Sequence, residues 1–237
     1  MERALAEVPE LGLSRGLAQS PYHHLDTLDH ILEVVRLVER ELERKELGAV
    51  VVPERISGLR LAALLHDVAK PVTRGEYEGK VIFVAHDTLG AMMARKVCDR
   101  LSASAIYTDM AVSLTALHLK IGFMGSPRAD YPPDRLVRAA GPFGEELAVL
   151  SWADRLAAQG PRLRDEHLER HLSLCKEFLE LSRKSGPYSE PDYGGLRGGI
   201  RPDLSEADVG YAAARLRLLA ARGVGREEAL GCVSRLL

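Results

Sequence analysis

The feature that most constrains this chain is the spacing of its apolar residues, which follows the helical period over most of its length and nowhere alternates long enough to build a sheet. Over residues 27 to about 47, Leu28, Ile31, Leu32, Val35, Val38 and Leu42 recur at steps of three and four. That spacing predicts one amphipathic helix, capped by Asp26 or Thr27. A second helix is predicted over about 54–69, carrying Leu59, Leu61, Ala62, Leu64 and Leu65. Pro71 is its expected stop, because the residue before a proline is pushed out of the helical region. Further helices are predicted over 87–101, 108–119, 133–140, 145–158 and 164–183. Strand signals are confined to 50–52, which is short, and to 80–84, an extended piece or a small hairpin with 74–77. The expected fold class is all-α.

The stretch 185–202 is rich in Gly, Pro, Ser and Tyr and has the composition of a loop or linker. After it, residues 205–222 and 226–236 return to helical spacing. The expected organisation is therefore a main helical domain over 1–184, a Gly/Pro-rich linker over 185–204 and a short helical C-terminal appendage over 205–237. A chain of 237 residues with 46% hydrophobic content builds its core without disulfides or structural zinc. Cys98, Cys175 and Cys232 are far apart and odd in number, and read as reduced thiols of a cytoplasmic protein. There is no basic segment followed by a long apolar run at the N-terminus and no apolar run near 18 residues, so neither a signal peptide nor membrane insertion is expected. A net charge of −2 argues against a protein whose main affinity is for the nucleic-acid backbone, although a local basic patch remains compatible with it.

Chemistry is signalled by histidine and aspartate inside apolar helices. His30 lies one turn into the first helix, His66-Asp67 closes the run Leu61-Ala-Ala-Leu-Leu, and Asp154 follows Leu150-Ser-Trp-Ala. A buried carboxylate must be paired or metal-bound, and a divalent cation offsets its desolvation cost. Imidazole together with carboxylate suits Mn, Fe, Co, Ni or Zn, and the carboxylate oxygens also tolerate Mg. His86 and His118 follow apolar runs in the same way, so that six ligand-type residues can hold two ions. Taken singly, each of these histidines also fits a hydrogen-bonded core residue, and Asp154 with Arg155 also fits a surface ion pair. Tyr22, Phe143 and Trp152 read as core residues rather than as stacking platforms for bases.

The order His30, His66-Asp67, Asp154 resembles the HD superfamily of metal-dependent phosphohydrolases, and most closely the HD domain attached to bacterial tRNA nucleotidyltransferases and poly(A) polymerases. The resemblance rests on Pro21-Tyr-His-His-Leu-Asp-Thr-Leu-Asp-His30, on Leu61-Ala-Ala-Leu-Leu-His-Asp-Val-Ala-Lys-Pro-Val-Thr-Arg74 and on Phe83-Val-Ala-His-Asp-Thr-Leu-Gly-Ala91. Arg135-Leu-Val-Arg-Ala-Ala-Gly141 and Trp152-Ala-Asp-Arg-Leu-Ala-Ala-Gln-Gly160 extend it, so that it covers roughly residues 15–180. No nucleotidyltransferase head is recognised before the HD segment, so nucleotide addition by this segment alone is not expected.

The resemblance implies an HD-domain helical bundle whose metal set is His30, His66, Asp67 and Asp154. It implies that His86 and His118 add a second ion with Asp67 as the bridge, giving one or two divalent ions (Mn, Fe, Co, Ni or Mg). Asp67 and Lys70 are then the catalytic residues, with Lys70 contacting the substrate phosphate, and His23, His24, Arg74 and Arg155 are substrate-binding candidates. Lys120 and Arg128 are further candidate phosphate contacts. The implied activity is a phosphatase or phosphodiesterase that attacks a nucleotide or small phosphate ester with metal-bound hydroxide. The competing reading is a non-catalytic module that binds RNA or a protein partner in tRNA end processing.

Overall fold

The computed structural model describes residues 2–127, 131–186 and 188–237. It is built from α1 (Glu2–Glu7), a 3-10 helix (Pro9–Ser14), α2 (Thr27–Arg44), α3 (Pro53–Leu65), α4 (Lys70–Thr73), the hairpin β1 (Arg74–Tyr77) and β2 (Lys80–Phe83), α5 (His86–Arg100) and α6 (Ala105–Leu117). A 3-10 turn (Ile121–Phe123), α7 (Pro133–Ala140), a second 3-10 turn (Gly141–Phe143), α8 (Gly144–Ala158), α9 (Asp165–Lys184), α10 (Tyr193–Ile200), α11 (Glu206–Ala221) and α12 (Arg226–Ser234) complete it. The fold is helical, and its two short strands pair antiparallel with Tyr77 opposite Lys80. Glu78 and Gly79 both take positive φ at the tip, the geometry that matches the twist of a two-residue hairpin.

α6 is the central helix. All but three of its residues, Ile106, Tyr107 and Ala116, are buried, and it packs against α3, α5 and α11. α2 lies against α3 and α8, and α8 is covered in turn by α9. α2 forms as its helical period predicts, with a rotated buried face: Leu28, Ile31 and Val38 are buried together with Val34 and Leu37, whereas Leu32, Val35 and Leu42 are half-buried. Asp26 Oδ1 accepts from the Asp29 amide at 2.8 Å, and Lys45 ends the helix in the left-handed conformation. Asp26 Oδ2 also accepts from the Gly16 amide at 2.7 Å, which ties the preceding loop to the helix start.

Three expectations change. The second helix ends at Leu65, well before Pro71, and Pro71 instead lies in the first turn of the four-residue α4, where its missing N–H has no helical partner to lose. The stretch read as a linker contains α10, whose start is fixed by Asp192 accepting from the Gly195 amide at 2.9 Å. Phe143 and Trp152 are buried, but Tyr22 is 42% exposed and is not a core residue.

α11 is joined to α6 by a buried polar cluster. The Arg217 guanidinium donates to Asp109 Oδ1 at 2.6 Å, and the Tyr193 hydroxyl from α10 reaches Asp109 Oδ2 at 3.1 Å. Gly210 permits close approach of the two helices, because a Cβ there would lie 2.2 Å from the Ala105 carbonyl oxygen. The thiols of Cys98 and Cys175 are buried and free, and burial pushes them up to about 11 and about 12, so both stay protonated near neutrality.

Candidate metal centre

The centre forms where helix ends meet. α2 contributes His30, the residues just past α3 contribute His66 and Asp67, the first residue of α5 is His86, the residue just past α6 is His118, and α8 contributes Asp154. His30, His66, Asp67 and His118 are each at most 1% exposed.

Asp67 is the hub. Its Oδ2 lies 3.2 Å from His66 Nε2 and 3.6 Å from His30 Nε2, while its Oδ1 lies 3.5 Å from His86 Nε2 and 3.7 Å from His118 Nε2. Asp154 Oδ1 closes the first half, 3.0 Å from His30 Nε2 and 4.0 Å from His66 Nε2. Two groups of ligand atoms therefore share one carboxylate: His30, His66 and Asp67 on one side, and Asp67, His86 and His118 on the other. His23 joins His30 and Asp154 in a further group, with its ring edge-on to His30 at 4.8 Å.

The orientation of three imidazoles is set by the backbone. Nδ1 of His66, His86 and His118 lies 2.7 to 2.8 Å from the carbonyl oxygen three residues earlier, of Ala63, Phe83 and Thr115 respectively. A carbonyl oxygen only accepts, so each Nδ1 carries the hydrogen and each Nε2 turns toward Asp67. Nε2 of His66 and of His86 and Oδ1 of Asp67 are buried without a hydrogen-bond partner among the described residues. Converging lone pairs and carboxylate oxygens in a buried place are costly unless a cation sits among them, so these residues fit a divalent ion.

Electrostatics favour the ionised carboxylates. Burial alone would raise Asp67, but the Lys70 ammonium at 2.6 Å and the His66 ring hold it well below the usual carboxylate range. Asp154 is likewise held low against its own burial by the hydrogen bond from His30. His66 is raised, because the Asp67 carboxylate outweighs its burial, whereas burial and the neighbouring His66 bring His118 down to about 4. Burial and the Lys70 charge lower His23 to about 3.

A cavity of about 270 Å³ opens onto this group, lined by His23, Asp67, Lys70, Phe83, Asp154 and Arg155 among others. Lys70 is only 6% exposed. Besides Asp67 it meets Gln19 Oε1 at 2.6 Å and lies over the Phe83 ring, so its charge is already engaged. Asp154 pairs with His30, and Arg155 lines the cavity with no ion pair or hydrogen bond of its own among the described residues.

His24 and Arg74 are not brought in. His24 lies outward with its Nδ1 3.0 Å from the Ala158 carbonyl at the end of α8, and Arg74 is exposed at the start of β1. Lys120 is paired with Asp87 at 3.1 Å, and Arg128 lies outside the described residues. Gln19 and Phe83 carry no signal of their own in the sequence; only the folded chain places them around Lys70.

A further cavity of about 310 Å³ lies beyond the C-terminal end of α9, and its charged residues are already matched, Arg183 with Glu145 and Arg55 with Glu190. No helix among the described residues is long and apolar enough to cross a membrane.

The family model of the HD domain matches residues 27–159, which contain all six converging His and Asp residues. An A-adding tRNA nucleotidyltransferase of Deinococcus radiodurans is 33% identical over 156 residues, covering 65% of this chain and 33% of its own. A CC-adding tRNA nucleotidyltransferase of Thermus thermophilus is 30% identical over 175 residues, covering 73% and 37%. A bifunctional uridylyltransferase/uridylyl-removing enzyme of Novosphingobium aromaticivorans is 34% identical over 137 residues, covering 52% and 14%. The chain thus spans about a third of the length of the tRNA nucleotidyltransferases it matches. With more than half of its residues inside the family match and the helical fold around a shared His-Asp hub, this chain belongs to the HD domain family.

Proposed function

We propose that this chain is a metal-dependent phosphohydrolase, a phosphatase or phosphodiesterase acting on a nucleotide or a small phosphate ester. The observation that carries the reading is the Asp67 carboxylate, one oxygen facing His30 and His66 and the other facing His86 and His118. In this proposal His30, His66, Asp67 and Asp154 hold one divalent ion, and His86 and His118 with Asp67 hold a second, drawn from Mn, Fe, Co, Ni or Mg. When bound, such ions supply Lewis-acid polarisation of water and of phosphoryl oxygens.

The protein's own residues do the rest. Lys70 keeps Asp67 ionised and fixed, and the three Nδ1–H to carbonyl bonds prevent the rings from turning away. Arg155, charged and unpaired at the cavity wall, meets the phosphate oxyanion and stabilises negative charge that develops on it. His23 lines the same cavity, with its ring edge-on to His30. Within this reading, residues 1–184 form the catalytic domain, followed by the 185–204 connection and the helical 205–237 segment.

The test is hydrolysis of a panel of phosphate esters and nucleotides by the full chain with Mn, Co, Ni, Fe or Mg added, alongside its metal content. Turnover that disappears in His66→Ala and Asp67→Asn together with the bound metal supports the reading. Turnover unchanged in both variants sinks it.

The names of the tRNA nucleotidyltransferase relatives favour one second reading, a module that holds RNA or a partner without catalysis. That reading requires tRNA binding that weakens steeply with salt and no hydrolysis of any ester.

A further inference from the structure

A larger cavity, about 480 Å³, adjoins the metal centre and shares His23, Leu119 and Arg155 with it. Its chemistry is different. Tyr22 from the loop before α2 and Phe123 from the 3-10 turn after α6 line it, and they are 42% and 41% exposed. The other strongly exposed aromatic residues, Tyr77 and Tyr188, line neither cavity. Large aromatic surface left open beside a catalytic cleft is the property of a binding wall, since folding alone gains by covering it.

The backbone that carries Tyr22 is pinned. The Gly160 amide donates to the Tyr22 carbonyl at 2.8 Å, the Arg162 amide to Pro21 at 3.1 Å, and the His24 amide to Ala158 at 3.1 Å. Gly160 is what allows this contact, because a Cβ there would lie 2.3 Å from the Tyr22 backbone carbon. His167 stands edge-on to the Tyr22 ring at 6.3 Å. Arg155 at the junction and Arg170 on α9 make no ion pair among the described residues, so positive charge lines the path between the two cavities.

We propose that this second cavity is a subsite for a planar heteroaromatic group, the base of a nucleotide, held against Tyr22 and Phe123 while the phosphate passes Arg155 to reach the metal centre. The placement of the phosphate rests on the phosphohydrolase reading; the ring contact does not. The volume suits a ligand of this size, and stacking on aromatic faces accepts any base. Tyr22 and Phe123 are thus specificity-determining residues, and the substrate class narrows from phosphate esters in general to nucleotides.

Two measurements on the full chain test this. The first is saturation-transfer NMR with adenosine, which has no phosphate to hydrolyse; the second is steady-state hydrolysis of adenosine 5′-monophosphate against ribose 5-phosphate. We expect the base protons of adenosine to receive saturation and to lose it in the Tyr22→Ala/Phe123→Ala double variant. The KM for adenosine 5′-monophosphate should rise about tenfold or more in that variant, the loss of one to two stacking contacts, with kcat and the ribose 5-phosphate constants unchanged. Base protons without saturation, or saturation and KM indifferent to the double substitution, overturn the subsite while leaving His66-dependent hydrolysis as it was. Ring contact that is lost in the double variant of a chain that hydrolyses no monoester or diester of the full panel supports the subsite and overturns the phosphohydrolase reading instead.

Discussion

At the scale of single residues, Lys70 and His171 carry the most consequence outside the candidate ligands. Lys70 Nζ lies 2.6 Å from a carboxylate oxygen that is almost wholly buried, so Lys70→Met leaves Asp67 without its ammonium. Without metal, that variant should lose about 3 kcal/mol of stability; with Mn present the gap should narrow, because a bound cation takes over the compensation. Urea midpoints measured with chelator and with Mn check both halves. His171, 5% exposed, stacks on Trp152 and donates from Nε2 to the Ser151 carbonyl at 3.0 Å. Burial and the Arg155 charge lower it to about 4. Its folded value lies below the unfolded one, so the unfolded chain takes up the proton first as pH falls. The stabilisation is full above about pH 6.5, and on the order of 3 kcal/mol is lost as pH falls through to about 4. Comparing the pH dependence of the urea midpoint in wild type and His171→Asn isolates this contribution; an equal slope between pH 7 and pH 4.5 contradicts it.

At the scale of elements, two glycines set how closely segments meet, with different expected outcomes. Gly210→Ala forces α11 away from the Ala105 carbonyl of α6 and should cost about 1–3 kcal/mol with metal content unchanged. Gly160→Ala pushes on the Tyr22 and His23 backbone instead, so it should lower turnover and weaken adenosine binding as well as stability. Thermal melts and the hydrolysis assay on the two variants separate these effects. The elements themselves were largely legible: the helical period of α2 and its Asp26 cap stand in the sequence, although its buried face takes in Val34 and Leu37 in place of Leu32, Val35 and Leu42, and Pro133–Ala140 coincides with its predicted span. The exceptions have local causes. α10 lies in a Gly-rich stretch whose composition argues against a helix, and one aspartate cap with tertiary contact through Tyr193 overrides that composition. The candidate ligands were legible from their order along the chain, His30, His66-Asp67, Asp154, next to apolar runs, whereas their position at helix ends was not: only His30 and Asp154 lie within a helix, and His66, Asp67, His86 and His118 stand at helix ends. The Tyr22 cavity was not legible, since exposure depends on what a distant glycine allows rather than on the neighbours of Tyr22 in sequence.

At the scale of the whole molecule, the proposed ion site gathers side chains from α2, α5 and α8 and from the segments that follow α3 and α6. An ion bound there links most of the bundle, so chelation should lower the thermal midpoint reversibly. For an ion present at 100 times its dissociation constant the loss is about 2.7 kcal/mol. Calorimetry before chelation, after it and after adding Mn back checks this, and an unchanged midpoint would mean that the buried lone pairs are tolerated without an ion. The three Nδ1 bonds add one more consequence. His66 and His118 each take their orientation from a carbonyl that the next turn of the helix would otherwise use, so the stopping points of α3 and α6 are positional information. One residue inserted within α3 would rotate everything beyond it by about 100° relative to the bundle and point His66 elsewhere, with every ligand still present in the sequence. Helix length, which no motif search reads, is therefore as much a part of this site's specification as the histidines are.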